Sequence, residues 1–313
     1  MPTIEIISPV YEEEATIDIF HHALKKELLS LLPLYPTSIL YVCDPGRDQT
    51  QEKLRVIAAA DPSTRVICLS RRFGHQASLL AGLDAADADI VVMMDCDMQH
   101  PPEVITRMLD AYNKGAEIVH TFRTYDPSIT RFKRLTSHLY YRALQALTDT
   151  NILENSADFR LVSRRVVALF QTSIRERNQF LRGLFSWVGF KQAQVPFQSA
   201  PRAAGVTKYT LARMMRLAVA GIISSSVKPL RYSIYLGLLI AFLGFILVVV
   251  TIFQKFLGSR FPAGWATLIA VTSILGGAQL VFLGVLGEYV AYISDDVKAR
   301  PSYIIDYKLN FHG

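Results

Sequence analysis

The stretch Ile90-Val91-Val92-Met93-Met94-Asp95-Cys96-Asp97-Met98-Gln99-His100-Pro101-Pro102 decides how the chain is read. Its first half is a short apolar run of the kind that forms a buried strand, predicted here as Ile90–Asp95, and a prolyl pair punctuates its far end. Two carboxylates leave the end of that strand one residue apart. In extended backbone, residues i and i+2 point to the same side, which lets Asp95 and Asp97 share a ligand. Like charges that close raise each other's pKa unless a cation lies between or beside them. A hard divalent ion, Mg²⁺ or Mn²⁺, that also grips a diphosphate resolves the conflict, and Gln99 can add a carbonyl oxygen directly or through water. Surface loops often carry a bare D-x-D. Its place after an apolar strand and before Pro-Pro gives this one weight.

Working outward, residues 1–125 alternate β-branched runs with helical stretches. Strands are predicted at Thr3–Pro9, Ser38–Cys43, Arg65–Leu69 and Glu117–Phe122, and helices around Glu13–Leu31, Thr50–Ala59, Gln76–Ala85 and Pro102–Asn113. That alternation implies βαβ units, hence an α/β domain with a mainly parallel sheet and helices on both faces. Ligands of such sheets sit beyond the carboxyl ends of the strands. Three predicted strands end in Pro9-Val10-Tyr11, Cys43-Asp44 and Asp95-Cys96-Asp97. Residues 126–200 read as mixed helix and strand with a continuous core.

Composition narrows the class. Of 313 residues, 51% are hydrophobic and 19% charged, too apolar for a disordered chain. Three cysteines, Cys43, Cys68 and Cys96, with no C-x-x-C pair, exclude a disulfide framework and a cysteine zinc site; they read as small core residues. A mean hydropathy of +0.25 fits a soluble domain joined to a few membrane spans. The net charge is +6, and the stretch 201–231 holds Arg202, Lys208, Arg213, Arg216, Lys228 and Arg231 with no acid. Because that basic stretch runs into an apolar one, it argues for a membrane surface and against nucleic acid. Ser233–Gln254 and Phe261–Gly287 are uncharged. About 22 helical residues span roughly 33 Å, enough for a bilayer core of ~30 Å. Basic flanks outside both runs predict two spans with both ends cytoplasmic, and the short first apolar run without a basic leader predicts no signal peptide. Glu288 reads as an interface carboxylate. Gly276-Gly277-Ala278 offers a helix-packing face through which protomers of a homo-oligomer would meet.

Several ordered motifs resemble the family 2 glycosyltransferases, and among them the polyisoprenyl-phosphate branch. Ser8-Pro9-Val10-Tyr11-Glu12-Glu13-Glu14 is similar to that family's P-V-Y-N-E-E, and Ser70-Arg71-Arg72-Phe73-Gly74-His75-Gln76-Ala77 to its S-R-N-F-G-x-x-A. Asp95–Pro102 resembles D-A-D-L-Q-D-P-P, Ala157-Asp158-Phe159-Arg160-Leu161 resembles G-D-F-R-L, and Ala204-Gly205-Val206-Thr207-Lys208-Tyr209 resembles A-G-E-S-K-Y. Gly287-Glu288-Tyr289 and Arg300-Pro301-Ser302-Tyr303 match G-E-Y and R-P-x-Y. Glu176-Arg177-Asn178 and Gly183–Gly189 look closest to the bacterial and phage glucosyl-carrier-lipid branch, alongside a wider likeness to dolichol-phosphate mannose synthases.

The resemblance implies a GT-A, Rossmann-like domain over 1–208 and an amphipathic interfacial segment over 209–231. Two transmembrane helices would follow within 232–289 (about 232–254 and 262–287), then a cytoplasmic tail over 290–313. It implies inverting transfer of a sugar, glucose from UDP-glucose being the first choice, onto a polyprenyl phosphate at the cytoplasmic face of the inner membrane. Pro9, Tyr11, Glu13 and Asp44 match nucleotide positions, and Asp95, Asp97 and Gln99 match the positions of an Mg²⁺ or Mn²⁺ ion. Asp95 would thereby also face the donor. Arg123, Arg134 and Ser137 match acceptor-phosphate positions, with Arg131 and Lys133 close enough in sequence to compete. Arg202 and Lys208 would close over the donor diphosphate, and Asp158 matches an orienting or proton-accepting carboxylate. Two plainer readings stay open: Asp158 could cap a helix starting near Ser163, and the arginines of 130–142 could be a solvated helix face.

The chain departs from the pattern at Glu12 for Asn, at Cys43 for Asp, at Pro45-Gly46 for Gly-Ser, and at His100 for the Asp after the metal-site Gln. These put UDP against GDP in question. A processive synthase is rejected, since Gln179-Phe180-Leu181-Arg182-Gly183 lacks the Trp of Q-x-x-R-W and two spans form no channel. The alternative of another class is a non-catalytic nucleotide- or lipid-binding scaffold that assists a flippase or transferase.

Overall fold

The computed structural model describes residues 1–124, 156–176, 181–199, 226–257 and 264–311. Among them, one sheet is built from β1 (Ile4–Val10), β2 (Thr37–Cys43), β3 (Thr64–Leu69), β4 (Ile90–Met93), β5 (Ile118–Arg123), β6 (Ser156–Ser163), β7 (Gln192–Phe197) and β8 (Ile305–Leu309). The order is β7-β5-β6-β4-β1-β2-β3-β8. Helices α1 (Ile17–Leu31), α2 (Thr50–Ala60), α3 (His75–Ala85) and α4 (Val104–Asn113) alternate with the first five strands. After them come α5 (Arg164–Thr172), α6 (Leu181–Trp187), α7 (Lys228–Phe256) and α8 (Trp265–Val297).

All seven residues of β1 are buried, because it lies between β2 and β4 with helices over both faces. Ile4, Ile6 and Val10 point into a core completed by α1, α2 and α4, while Ile7 joins the opposite core under α3, α5 and α6. Alternation at period two, with both sides apolar, is what a doubly covered sheet demands. Gly82 permits the closest helix approach: a Cβ there would lie 2.3 Å from Ile7 Cγ2.

The sheet is parallel across β3-β2-β1-β4 and again between β5 and β7, in line with the mainly parallel expectation, but two strands are reversed. β6 enters antiparallel between β4 and β5, and β8 lies antiparallel on β3. The reversal of β6 positions the site. It pairs Arg160 with Met93, the last residue of β4, so that Ser156–Phe159 of β6 extend beyond the end of that strand.

Ile274–Val297 is, among the described residues, the one helical stretch long and apolar enough to cross a membrane, and none of it is buried in the protein. Leu230–Ile246, within α7, is apolar but shorter. α8 also continues ten residues beyond the predicted end at 287. Tyr289 of α8 donates its hydroxyl to the carbonyl of Ser226, two residues before α7, at 2.7 Å. The chain then returns to the sheet: the predicted tail supplies β8, and Tyr303 donates to Asp84 Oδ2 at 2.7 Å. The interfacial segment expected over 209–231 lies mostly outside the described residues.

Candidate active site

The site assembles where β1, β2, β4 and β5 end and β6 begins. At the end of β1, the buried Pro9 carbonyl accepts from Cys96 Sγ at 3.4 Å, fastening this strand to the carboxylate loop. Glu12 adopts the left-handed region, φ 53°. Asn tolerates that region better than Glu, so the Asn-to-Glu departure needs room. Gly46 supplies it, since a Cβ there would meet Glu12 Cγ at 2.8 Å. Two departures from the family pattern are therefore one packing solution. Tyr11 donates to Glu12 Oε1 at 3.1 Å, with the Arg72 guanidinium 3.8 Å above its ring. Glu13 accepts from the Thr16 hydroxyl, and its amide donates to Thr50 Oγ1 at 2.9 Å.

Asp44 is buried at the end of β2. Its two carboxylate oxygens accept the Phe73 and Gly74 amides at 3.0 and 2.8 Å. Its visible work is to fold the Arg71–Gly74 loop over the strand end and start α3, with Gly74 at φ 98°.

The strand before the carboxylate pair ends at Met93, so Asp95 and Asp97 lie just past it, Asp97 in a bend. The turn is held locally: Met98 has φ 63°, and Asp97 Oδ1 accepts the Gln99 amide at 3.0 Å. The Gln99 carbonyl accepts from Ser199 Oγ at 3.3 Å, linking the turn to the end of β7. The Asp95 amide donates to His100 Nδ1 at 3.0 Å, which leaves that buried ring neutral with its proton on Nε2. His100 stacks on Phe159 at 5.0 Å, and burial lowers its pKa. Burial also pushes Asp95 up, but the His75 ring donating to it at 2.7 Å holds its carboxyl well below the usual range.

On β6, Asp158 lies between two guanidiniums. Arg160 Nη2 reaches Oδ1 at 3.1 Å, and Arg182 forks onto it with Nη2–Oδ2 at 2.9 Å and Nε–Oδ1 at 3.3 Å. Burial raises this carboxyl's pKa and the two arginines outweigh it, leaving the group ionised. Burial lowers Arg160 to about 10, still charged at neutral pH. The helix after β6 is capped by Ser163, whose Oγ accepts from the Val166 amide, so Asp158 is not its cap.

The family model described as glycosyl transferase family 2 matches residues 5–170. The chain belongs to glycosyl transferase family 2. This family 2 chain is 38% identical over 300 residues to uncharacterized glycosyltransferase YkcC of Bacillus subtilis, covering 96% of the chain and 92% of that relative. It is 35% identical over 302 residues to the SfII prophage-derived bactoprenol glucosyl transferase of Shigella flexneri, covering 96% and 97%. Among solved structures, glucosyl-3-phosphoglycerate synthase from Mycobacterium tuberculosis, in complex with Mn²⁺, UDP and glucosyl-3-phosphoglycerate, matches at 22% identity. Its TM-score is 0.47, over 71% of this chain and 79% of that one, and a likeness of that size carries no functional argument.

Of the residues expected in a family 2 site, Pro9, Tyr11, Glu13, Asp44, Asp95, Asp97, Gln99 and Asp158 gather at these strand ends. Arg123 is the exposed last residue of β5, and its charge acts on Asp95. Arg134, Ser137, Arg202 and Lys208, with Arg131 and Lys133, lie outside the described residues. His75, Gln76, Arg160 and Arg182 were given no role by the sequence. Three of them sit inside family-like motifs without a spacing cue, and Arg182 was weighed only against another signature.

The donor set fits a hard cation. Asp95 and Asp97 are carboxylate oxygen donors two residues apart just past the end of β4, and Gln99 carries a side-chain carbonyl oxygen two residues further on. Among the described residues no three His, Cys, Asp or Glu form a metal cluster, which is ordinary for Mg²⁺: one or two carboxylates plus substrate phosphates commonly hold it.

Proposed function

We propose that this family 2 glycosyltransferase moves a hexosyl group, glucose first among candidates, from a nucleoside-diphosphate sugar to the phosphate of a polyprenyl carrier lipid. An acceptor phosphate oxygen attacks C1 of the sugar, and the C1–O bond to the nucleoside diphosphate breaks with inversion. What supports the reading is that the likeness to a bactoprenol glucosyl transferase covers 96% of the chain, apolar helices included.

The site chemistry agrees. A phosphate is already ionised at pH 7, so its attack requires no strong base. Asp158, pinned and ionised by Arg160 and Arg182, is a poor proton acceptor and well suited to orient hydroxyls of the sugar. Arg123 offers a guanidinium to the incoming phosphate, with Arg134 and Ser137 as its partners and Arg202 and Lys208 over the donor diphosphate. Tyr11, Glu13 and Asp44 border the nucleotide. A divalent ion held by Asp95, Asp97 and Gln99 would supply charge compensation to the departing diphosphate. α7 and α8 would both cross the inner membrane with the sheet domain on its cytoplasmic side, keeping the site near the bilayer surface where the carrier's phosphate resides. Contact between protomers would run through the small residues of α8.

A panel of radiolabelled nucleotide-sugars incubated with polyprenyl phosphate and extracted into organic solvent tests the reading. One donor should pass its label to the organic phase. Label left in the aqueous phase with every donor overturns it.

A further inference from the structure

His75 has no assigned role, yet it contacts the carboxylate pair's first member. Its Nε2 lies 2.7 Å from Asp95 Oδ1. Its other nitrogen, Nδ1, lies 3.3 Å from Gln76 Nε2 and 4.0 Å from Asp158 Oδ2. The orientation of the Gln76 amide is set from outside the site, because its Oε1 accepts the Leu181 amide at 3.2 Å. Gln76 therefore sets its side-chain nitrogen against His75 Nδ1, and the opposite ring nitrogen, Nε2, faces Asp95. One file of hydrogen bonds runs from the first residue of α6 through Gln76 and His75 to Asp95. The next residue of that helix, Arg182, grips Asp158.

Asp95 Oδ1 is thus taken. Among the described residues no donor reaches Oδ2; its neighbour His100 Nδ1, at 3.8 Å, already accepts the Asp95 amide. We propose that His75 is a positioning residue for the divalent cation, holding Asp95 by one oxygen so that the other is presented to the ion. Partners that orient a ligating group in this way typically contribute 10–100-fold in metal affinity. The inference rests on the metal reading of Asp95 and Asp97 and extends it to residues outside the D-x-D turn.

Mn²⁺ binding to the full chain in detergent, monitored by the electron paramagnetic resonance of free Mn²⁺ with UDP and GDP in separate arms, tests it. His75→Ala should weaken binding about 10–100-fold, His75→Gln should restore most of the loss, and saturating Mn²⁺ should recover turnover. Gln76→Leu, which keeps the ring but removes its tether, should give a smaller loss in the same direction and stands in if the alanine variant does not fold. The metal-free melting temperature should not move, which separates positioning from a merely structural role. Unchanged or tighter Mn²⁺ binding in His75→Ala overturns the proposal while leaving the metal reading intact. Failure of the unaltered chain to bind Mn²⁺ in either arm overturns both.

Discussion

Arg182 and Asp158, 24 residues apart in sequence, meet in a fork of 2.9 and 3.3 Å that docks the start of α6 on the start of β6. The same carboxylate receives Arg160, whose side chain is buried beneath it with the Phe185 ring 4.8 Å from the guanidinium. Removing a partner from such a triad has unequal consequences. Asp158→Ala strands a buried guanidinium and should destabilise the fold by about 3–5 kcal/mol. Arg182→Ala, with Arg160 still in place, should cost far less stability while lowering kcat at least tenfold. Chemical denaturation alongside steady-state kinetics checks both. Equal stability loss in the two variants would show that Arg160 does not depend on Asp158.

The C-terminal strand should matter to the donor side of the site. Ser70, at the head of the Arg71–Gly74 loop, donates its amide to the Ile304 carbonyl at 2.9 Å. Asn310, at φ 60°, spreads its amide over the carbonyls of Ala58 and Thr64 at 2.7 and 2.8 Å. Asn310→Ala leaves these acceptors unmet and should cost about 1–3 kcal/mol. A chain ending after residue 302 should show a raised KM for the nucleotide-sugar, because Arg72 and the Asp44-bound loop lose their edge support. An unaltered donor KM in that shortened chain would break the link between β8 and the loop.

His120 sets a pH dependence of stability. It is buried on β5, with Nε2 3.1 Å from Gln192 Oε1, and burial together with the Arg160 charge pushes its pKa down to about 4. An unfolded histidine titrates near 6.5. Between those values the unfolded chain binds the extra proton, so the contribution is complete above about pH 6.5 and is lost as pH falls toward 4. The full loss is about 3 kcal/mol. Denaturation between pH 4 and 7.5 should show that slope for the unaltered chain and a flatter one for His120→Gln.

The half-sheet β3-β2-β1-β4 was legible because each of its strands is a short apolar run followed by a punctuating turn. The carboxylate pair was legible for the same reason. What escaped were long-range reversals. Nothing in Ser156–Ser163 says that it runs antiparallel between β4 and β5, and Ile305–Leu309 falls within the expected cytoplasmic tail until β3 offers it an edge. His75 and Arg182 escaped similarly, since each acts on a carboxylate at least 20 residues away. The strand end at Asp95 shows the same limit: the Met94 amide still donates to the Ile7 carbonyl at 3.0 Å, but the Asp95 amide leaves the sheet for His100 Nδ1.

Arg123 closes β5, is exposed, and its charge acts on Asp95. If it receives the lipid phosphate, Arg123→Ala should raise the KM for polyprenyl phosphate about tenfold, the equivalent of ~1.4 kcal/mol, with the nucleotide-sugar KM nearly unmoved. A rise confined to the nucleotide-sugar would move Arg123 to the donor site.

Mass spectrometry of the lipid after incubation of the full chain with polyprenyl phosphate, Mg²⁺ or Mn²⁺ and a nucleotide-sugar addresses the central claim most directly. The expected result is a carrier lipid heavier by one hexosyl unit, joined through its phosphate. It should form with the unaltered chain and fail to form with Asp97→Asn or in EDTA. Unmodified lipid with every donor, or hexosyl-lipid formed equally well by Asp97→Asn in EDTA, would contradict it.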